Sequence, residues 1–308
     1  MTDLAAHVDD YLALRRALGY KLHGYDTILH DFAAWLDRGG ADVITAELAL
    51  TWAQSRPTSS PQRQQQRLTM VRRFAEYLHG LDPRTEPPPS NLLAVPRHRT
   101  APYLYPGDEI AGLLTAAASL TPPLKAATYQ TLIGLLACTG LRFCEAAGLD
   151  RDDVTLAESQ LLVRHAKNGR SRHVPVHATT VAALADYAAQ RDRLWPNPKQ
   201  PSFFVSTRGG RVAHSSTQAV FARLRRQLGL QAASGGGRLP RVHDLRHAFV
   251  VRTMTTWHRQ GLDVQARLPL LSTYVGHVDP KATYWYQQAA PELLALATQR
   301  LETPRPNP

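Results

Sequence analysis

The chain has 308 residues, enough for two domains with a hydrophobic core each. Its hydrophobic content of 44% is ordinary for a globular protein, and no uninterrupted apolar run approaches the roughly 20 residues of a membrane span, which argues against an integral membrane protein. The net charge of +11 is carried almost entirely by one part: residues 107–308 hold a net +10 and residues 1–106 a net +1.

A basic half points to a polyanionic partner, most simply nucleic acid. The competing reading is a compositional bias toward arginine, since the chain has 31 Arg and five Lys. Met1-Thr2-Asp3-Leu4 carries no basic-then-apolar signal peptide. Cys138 and Cys144 form neither a disulfide framework nor a metal-ligand spacing, and read as small buried residues of a reduced, cytoplasmic protein.

Residues 3–18 read as a helix with Leu4, Val8, Tyr11, Leu12 and Leu18 on its apolar face, stopped by Gly19. A second helix is expected at about 25–37, carrying Ile28, Leu29, Phe32, Trp35 and Leu36. Thr45 is placed as the N-cap of a third at about 45–55. A fourth, at about 61–79, has the stripe Leu68, Val71, Phe74, Ala75 and Leu78, with Gln62, Arg63, Gln66, Arg67, Arg72 and Arg73 on or near the opposite face. Such a polar face is either solvated or set against a DNA backbone. Residues 1–82 thus read as a helical domain. Residues 83–106 contain Pro83, Pro87-Pro88-Pro89, Pro96, Pro102 and Pro106, which favour an extended, semi-rigid linker able to hold two domains around a rod-shaped partner.

The remainder, 107–308, reads as a second domain. Helices are expected at 107–118 and 123–138, followed by a break at Thr139-Gly140-Leu141-Arg142 and an immediate restart, with Arg142 and Glu145 on one face. The period then changes. Val154-Thr155-Leu156, Gln160 to Arg164 and Arg172 to Val176 read as three short strands, the last two joined by a turn containing Asn168-Gly169. Further helices are expected at about 178–192, 215–228, 243–257, 262–273, 280–287 and 291–301. The class is therefore mainly α with a small antiparallel β-sheet.

The polar residues that stand out are Thr139-Gly140-Leu141-Arg142 with Glu145, the hairpin from Ala166-Lys167 to Val176, His243-Asp244-Leu245-Arg246-His247, and Gly276-His277 with Tyr286 nine residues on. In this order the chain resembles the tyrosine recombinases of the phage-integrase type, closely over 107–301 and more loosely over 1–95. The resemblance implies a helical, SAM-like core-DNA-binding domain ahead of a catalytic domain. It also implies double-stranded DNA as partner, a homo-tetramer on that DNA, and no cofactor or metal.

The chemistry suits these residue types. Two fixed guanidiniums can pair with the non-bridging oxygens of a scissile phosphate and stabilise its transition state, a role assigned to Arg142 and Arg246. Tyr286 is the expected nucleophile. A free phenol is only about 0.1% ionised at neutral pH, so it needs a hydrogen-bond partner, and His243 and His277 are both suited to assist it or to bind phosphate. Lys167 matches the family's general acid for the leaving 5′-oxygen. Glu145 is expected to support Arg142. Tyr284 and Tyr286 lie about 200° apart on a helix, so they cannot share a face. Tyr274 is expected to pack, and Gln288 stands where the family often has a histidine.

Three rival readings carry less. His-Asp-Leu-Arg-His resembles the zinc-protease His-Glu-x-x-His, but Asp244 is too short and Arg246 would put a cation beside the metal. His247 then reads as a core or supporting histidine. A non-catalytic DNA-binding protein would need no nucleophile, and a type IB topoisomerase-like strand-nicking enzyme would share the chemistry without recombining partners.

Overall fold

The computed structural model describes residues 3–56, 58–93, 95, 101–164, 171–232 and 238–277, together with Tyr284, Tyr286, Leu293 and Thr298. The chain divides into two compact units, Met1–Arg99 and Thr100–Pro308. No helix among the described residues is long and apolar enough to cross a membrane.

The first unit is built from α1 (Leu4–Ala17), α2 (Tyr25–Arg38), α3 (Ala46–Gln54) and α4 (Pro61–His79). Three of the four, α1, α3 and α4, start at a side-chain cap. Asp3 accepts the Ala6 N–H ahead of α1, Thr45 accepts that of Leu48 ahead of α3, and Ser60 caps α4 with Pro61 at its first position. Val8, Leu29, Phe32, Leu36, Trp52, Val71 and Phe74 close a single core.

Two residues differ from expectation here. Leu18 lies past the end of α1 and is exposed, because Gly19 turns the chain away from the core. Arg67 is on the buried side of α4, only 4% exposed, with its guanidinium carbon 3.9 Å from the Trp52 ring centroid and Asp31 3.6 Å away. A cation over an aromatic face with a nearby carboxylate can be buried where a bare charge cannot. Gln62, Arg63, Gln66 and Arg73 remain exposed on the opposite side.

The proline-rich stretch is divided between the units. Its first part folds onto the helical unit: the Glu86 N–H donates to Ile44 O, His79 Nδ1 meets Thr85 O at 2.7 Å, and Gln65 Nε2 donates to Leu93 O. Tyr103 and Tyr105 belong to the second unit, ring against ring, and the Tyr105 hydroxyl donates to Arg241 O.

The second unit is organised around α6 (Pro123–Thr139), which is buried around most of its circumference and packs against α5 (Gly107–Ala118), α8 (Ala178–Leu194) and α10 (Asp244–Arg259). The short α7 (Phe143–Ala147) follows directly. Strands β1 (Val154–Thr155), β2 (Gln160–Val163) and β3 (Arg172–Pro175) form one antiparallel sheet in the order β1-β2-β3, with Leu161 opposite Val174 and Val163 opposite Arg172. Helix α9 (His214–Gln227) packs on α5, and α11 (Val264–Val275) on α10.

Cys138 and Cys144 are both exposed rather than buried. Cys138 sits on the outer side of the last turn of α6, and Cys144 lies beside Glu145, whose own side chain takes the inward position. The helices expected at 280–287 and 291–301 fall mostly outside the described residues. Tyr284 and Tyr286 have helical backbone, with Tyr284 45% exposed and Tyr286 3% exposed, as the 200° separation requires.

Candidate active site

The site forms where two helix C-termini point their unpaired carbonyls at arginines. An α-helix leaves its last carbonyls without intrahelical partners, and a cation there is held by both hydrogen bonding and the helix dipole. Helix α6 ends on Gly140 in the left-handed region, φ 63°, and Gly140 O accepts from Arg246 Nη1 at 2.7 Å. Helix α11 ends on Gly276, φ 70°, and Gly276 O accepts from Arg142 Nη2 at 3.0 Å. Both glycines are needed on two counts. Besides the positive φ, a Cβ at Gly140 would lie 2.5 Å from the Phe249 ring, and one at Gly276 would lie 2.7 Å from the Arg172 guanidinium.

Arg142 heads α7, where Glu145 reaches back to accept its backbone N–H at 3.0 Å and its Nη1 at 2.8 Å. Glu145 is buried, and its opposite side is taken by Arg172, which donates through Nη2 at 2.9 Å and Nη1 at 3.2 Å. Burial alone would raise the Glu145 carboxyl. The hydrogen bonds from Arg172 and from the Arg142 backbone, with both guanidinium charges, hold it below its usual range. Arg172 Nε also donates to Tyr274 O, and its Nη2 to Val275 O. One arginine on β3 thereby ties the sheet, α7 and the end of α11 together.

Arg246 is 2% exposed. Burial first, then the charge of Arg142, lowers its guanidinium to about 10, while Tyr286 and Glu145 oppose the shift. It stays charged at neutral pH. Its Nη2 is buried and has no hydrogen-bond partner among the described residues. A buried donor left in that state marks a place where an acceptor is missing.

Three histidines surround the tyrosine. His247 Nδ1 meets the Tyr286 hydroxyl at 2.6 Å, and His247 Nε2 faces Asp244 Oδ1 at 3.9 Å. His243 sits edge-on to His247, ring centroids 4.9 Å apart. The His277 ring lies nearly parallel to that of Tyr286, with 6.2 Å between centroids. All three are kept neutral. Desolvation and then Arg246 lower His243. Burial, His243 and Arg246 hold His247 down to about 3, and burial, Arg246 and Arg142 do the same for His277.

The Tyr286 ring is fixed in an apolar cluster with Val250, Met254, Leu271, Val275 and Leu293. Tyr274 is a packing residue, stacked on Phe249 with its hydroxyl donated to Pro175 O.

Of the residues singled out from the sequence, Arg142, Glu145, Arg246, His277 and Tyr286 come together, with His243 at the more exposed edge. Lys167 lies outside the described residues, as does Gln288. Two participants were not anticipated. His247 read as a core or supporting histidine, yet its ring nitrogen is the one that meets the phenol. The signal was present: four residues after His243 on one helix places it on the same face. Arg172 was not singled out, although strand alternation puts it on the inward face with Val174.

The model of the phage integrase family matches residues 105–292. The y4rB protein of Sinorhizobium fredii, which carries an integrase/recombinase name, is 40% identical over 308 residues, covering 98% of each chain. The tyrosine recombinase XerC of Alcanivorax borkumensis is 28% identical over 274 residues, covering 88% of this chain and 84% of its own. Among solved structures, the integrase of transposon Tn1549 in complex with transposon right end DNA has the same fold, with a TM-score of 0.67 at 16% identity, covering 98% of this chain and all of that one.

Proposed function

Because the chain belongs to the phage integrase family, we propose that it is a site-specific DNA recombinase that cuts and rejoins strands through a 3′-phosphotyrosyl bond. The observation that carries this is the placement of a buried, hydrogen-bonded phenol, Tyr286, in one cluster with two arginines delivered by separate helix ends.

In the proposed reaction Arg142 and Arg246 hold the non-bridging oxygens of the scissile phosphate, with the unpartnered Arg246 Nη2 as one donor. The Tyr286 oxygen attacks phosphorus and the bond to the 5′-oxygen breaks. Lys167 supplies the proton that the leaving oxygen takes. His243 and His277 line the phosphate. The 5′-hydroxyl of a second strand then attacks the phosphotyrosine and releases Tyr286. The bond energy is retained in the linkage, so no nucleotide hydrolysis is required. Two such exchanges in a tetramer, through a Holliday junction, would move or resolve a DNA element. The recombinase names of the relatives and the transposon integrase among the structural neighbours support a mobile element as the setting.

The test is a nicked duplex carrying the DNA that flanks the gene. Wild-type protein should form a covalent protein–DNA adduct that survives SDS, and Tyr286→Phe should not. An adduct that persists in Tyr286→Phe, or none with the wild-type chain on any flanking site, would sink the reading. Relaxation of plasmids at no defined site would favour a topoisomerase instead.

A further inference from the structure

We propose that His247 is a catalytic residue, the group that takes the proton of the Tyr286 hydroxyl as its oxygen attacks phosphorus, with Asp244 fixing its tautomer. This rests on Tyr286 being the nucleophile. The geometry is specific to His247. Its Nδ1 is 2.6 Å from the phenol oxygen, whereas His277 meets Tyr286 ring against ring and His243 meets the edge of His247. A proton acceptor must stand within hydrogen-bond reach of the proton it removes.

The tautomer follows from what lies behind the ring. Asp244 is 2% exposed, and its Oδ2 accepts the Arg241 N–H at 2.8 Å. Its Oδ1 lies 3.6 Å from Arg241 Nη2 and 3.9 Å from His247 Nε2, ion-pair distances rather than hydrogen bonds, and has no hydrogen-bond partner among the described residues. If Nε2 carried a lone pair, two acceptors would face each other in a buried place. With the hydrogen on Nε2, the imidazole points a donor at the carboxylate and leaves the Nδ1 lone pair for the phenol.

The same surroundings tie proton transfer to the substrate. His247 is kept neutral by burial first, by its neighbour His243 and by the guanidinium charges of Arg246, Arg241 and Arg238. In the absence of DNA it is therefore a weak base. A phosphate bound to Arg246 cancels part of the charge that opposes imidazolium formation. The base strengthens when the electrophile arrives. In the forward step the phenol proton moves to Nδ1, the O–P bond to Tyr286 forms and the P–O5′ bond breaks. The proton stays on His247, stabilised by Asp244. In the rejoining step the Tyr286–P bond breaks and His247 returns the proton to the phenolate.

Two substitutions separate proton transfer from positioning. In His247→Asn the side-chain oxygen falls near the position of Nδ1, so it can accept the phenol's hydrogen bond but cannot take the proton. His247→Ala leaves a hole that free imidazole can enter. Single-turnover adduct formation is measured on a nicked duplex that the wild-type chain cleaves, with DNA affinity measured alongside by gel retardation.

Expected are losses of about 10²–10⁴ in rate for both variants, little change in DNA affinity, and partial recovery of His247→Ala with imidazole. Formation of adduct by His247→Asn within about threefold of wild type would overturn the proposal and leave His247 as a positioning group. If His247→Ala does not fold, His247→Asn carries the test, since it keeps the polar contact. Tyr286→Phe separates the two ideas. Adduct retained in that variant removes the nucleophile assignment itself, whereas adduct lost there but retained in both His247 variants removes only the role of His247.

Discussion

Each charged side chain in the site has a geometric task that its type alone can meet. Arg246 uses one nitrogen on Gly140 O and keeps another buried and open. Lysine could supply the charge but not both directions at once. Arg246→Lys should therefore slow adduct formation about 10²–10³-fold while DNA binding is largely retained, as single-turnover and retardation measurements would show. Glu145 is the buried counter-ion of two guanidiniums. Glu145→Gln removes the charge and leaves Arg142 and Arg172 repelling each other. Loss of one partner from a buried ion pair costs about 3–5 kcal/mol, to be read from the midpoint of chemical denaturation. If that midpoint does not move, the pair contributes orientation and no stability.

At the scale of elements, the site is an assembly of ends. The C-termini of α6 and α11, the N-termini of α7 and α10, and strand β3 all contribute, α10 the most, with His243 at its cap followed by Asp244, Arg246 and His247. Their mutual placement depends on close backbone approach, so the sensitive positions include residues with no side chain. Gly276→Ala would force φ 70° on an alanine and push its Cβ to 2.7 Å from Arg172. The backbone term alone costs about 1–3 kcal/mol, and displacement of Arg172 should lower activity further. Thermal melts and adduct assays on Gly276→Ala and on the exposed control Gly80→Ala would separate the two, since the control has ordinary φ and a 3.4 Å contact. In the helical unit, local rules suffice. Thr45→Ala removes one cap and should cost about 1 kcal/mol without touching chemistry.

At the scale of the whole molecule, electrostatics links stability to pH and binding to salt. His247 and His277 have values near 3 in the folded state against 6.5 for a free imidazole, and His243 is lowered as well. A depressed value means that the unfolded chain binds protons that the folded site excludes. Stability from these groups is therefore full above about 6.5 and is lost as pH falls from there toward 3, by at most about 1.4 kcal/mol per pH unit for each group. Melting temperature should hold from pH 7.5 to about 6.5 and drop from there to pH 5, and the slope of the drop should be shallower in His247→Asn. An unchanged slope would mean that His247 is not held neutral. The basic charge has its own signature. Affinity for duplex DNA should fall linearly on a log–log plot against salt, with a slope of about −0.9 for each phosphate neutralised.

Much of the molecule was legible without coordinates. The first helix stops ahead of Gly19, the third starts at Thr45, α6 ends at Gly140, and the three short strands follow the change of period after Asp153, because these are local rules acting within a few residues. Arg142, Arg246, His277 and Tyr286 could be named only through the resemblance, whose boxes they occupy, and the chemistry of a phosphodiester suits those residue types. Tertiary structure alone decided which imidazole meets the phenol. It also turned Arg67 inward over Trp52, left both cysteines exposed, and set Arg172 between Glu145 and the end of α11. Each of these depends on a partner many residues away, or on which side of an element is covered. A short-range period reports that a face will be buried, but not what will lie against it.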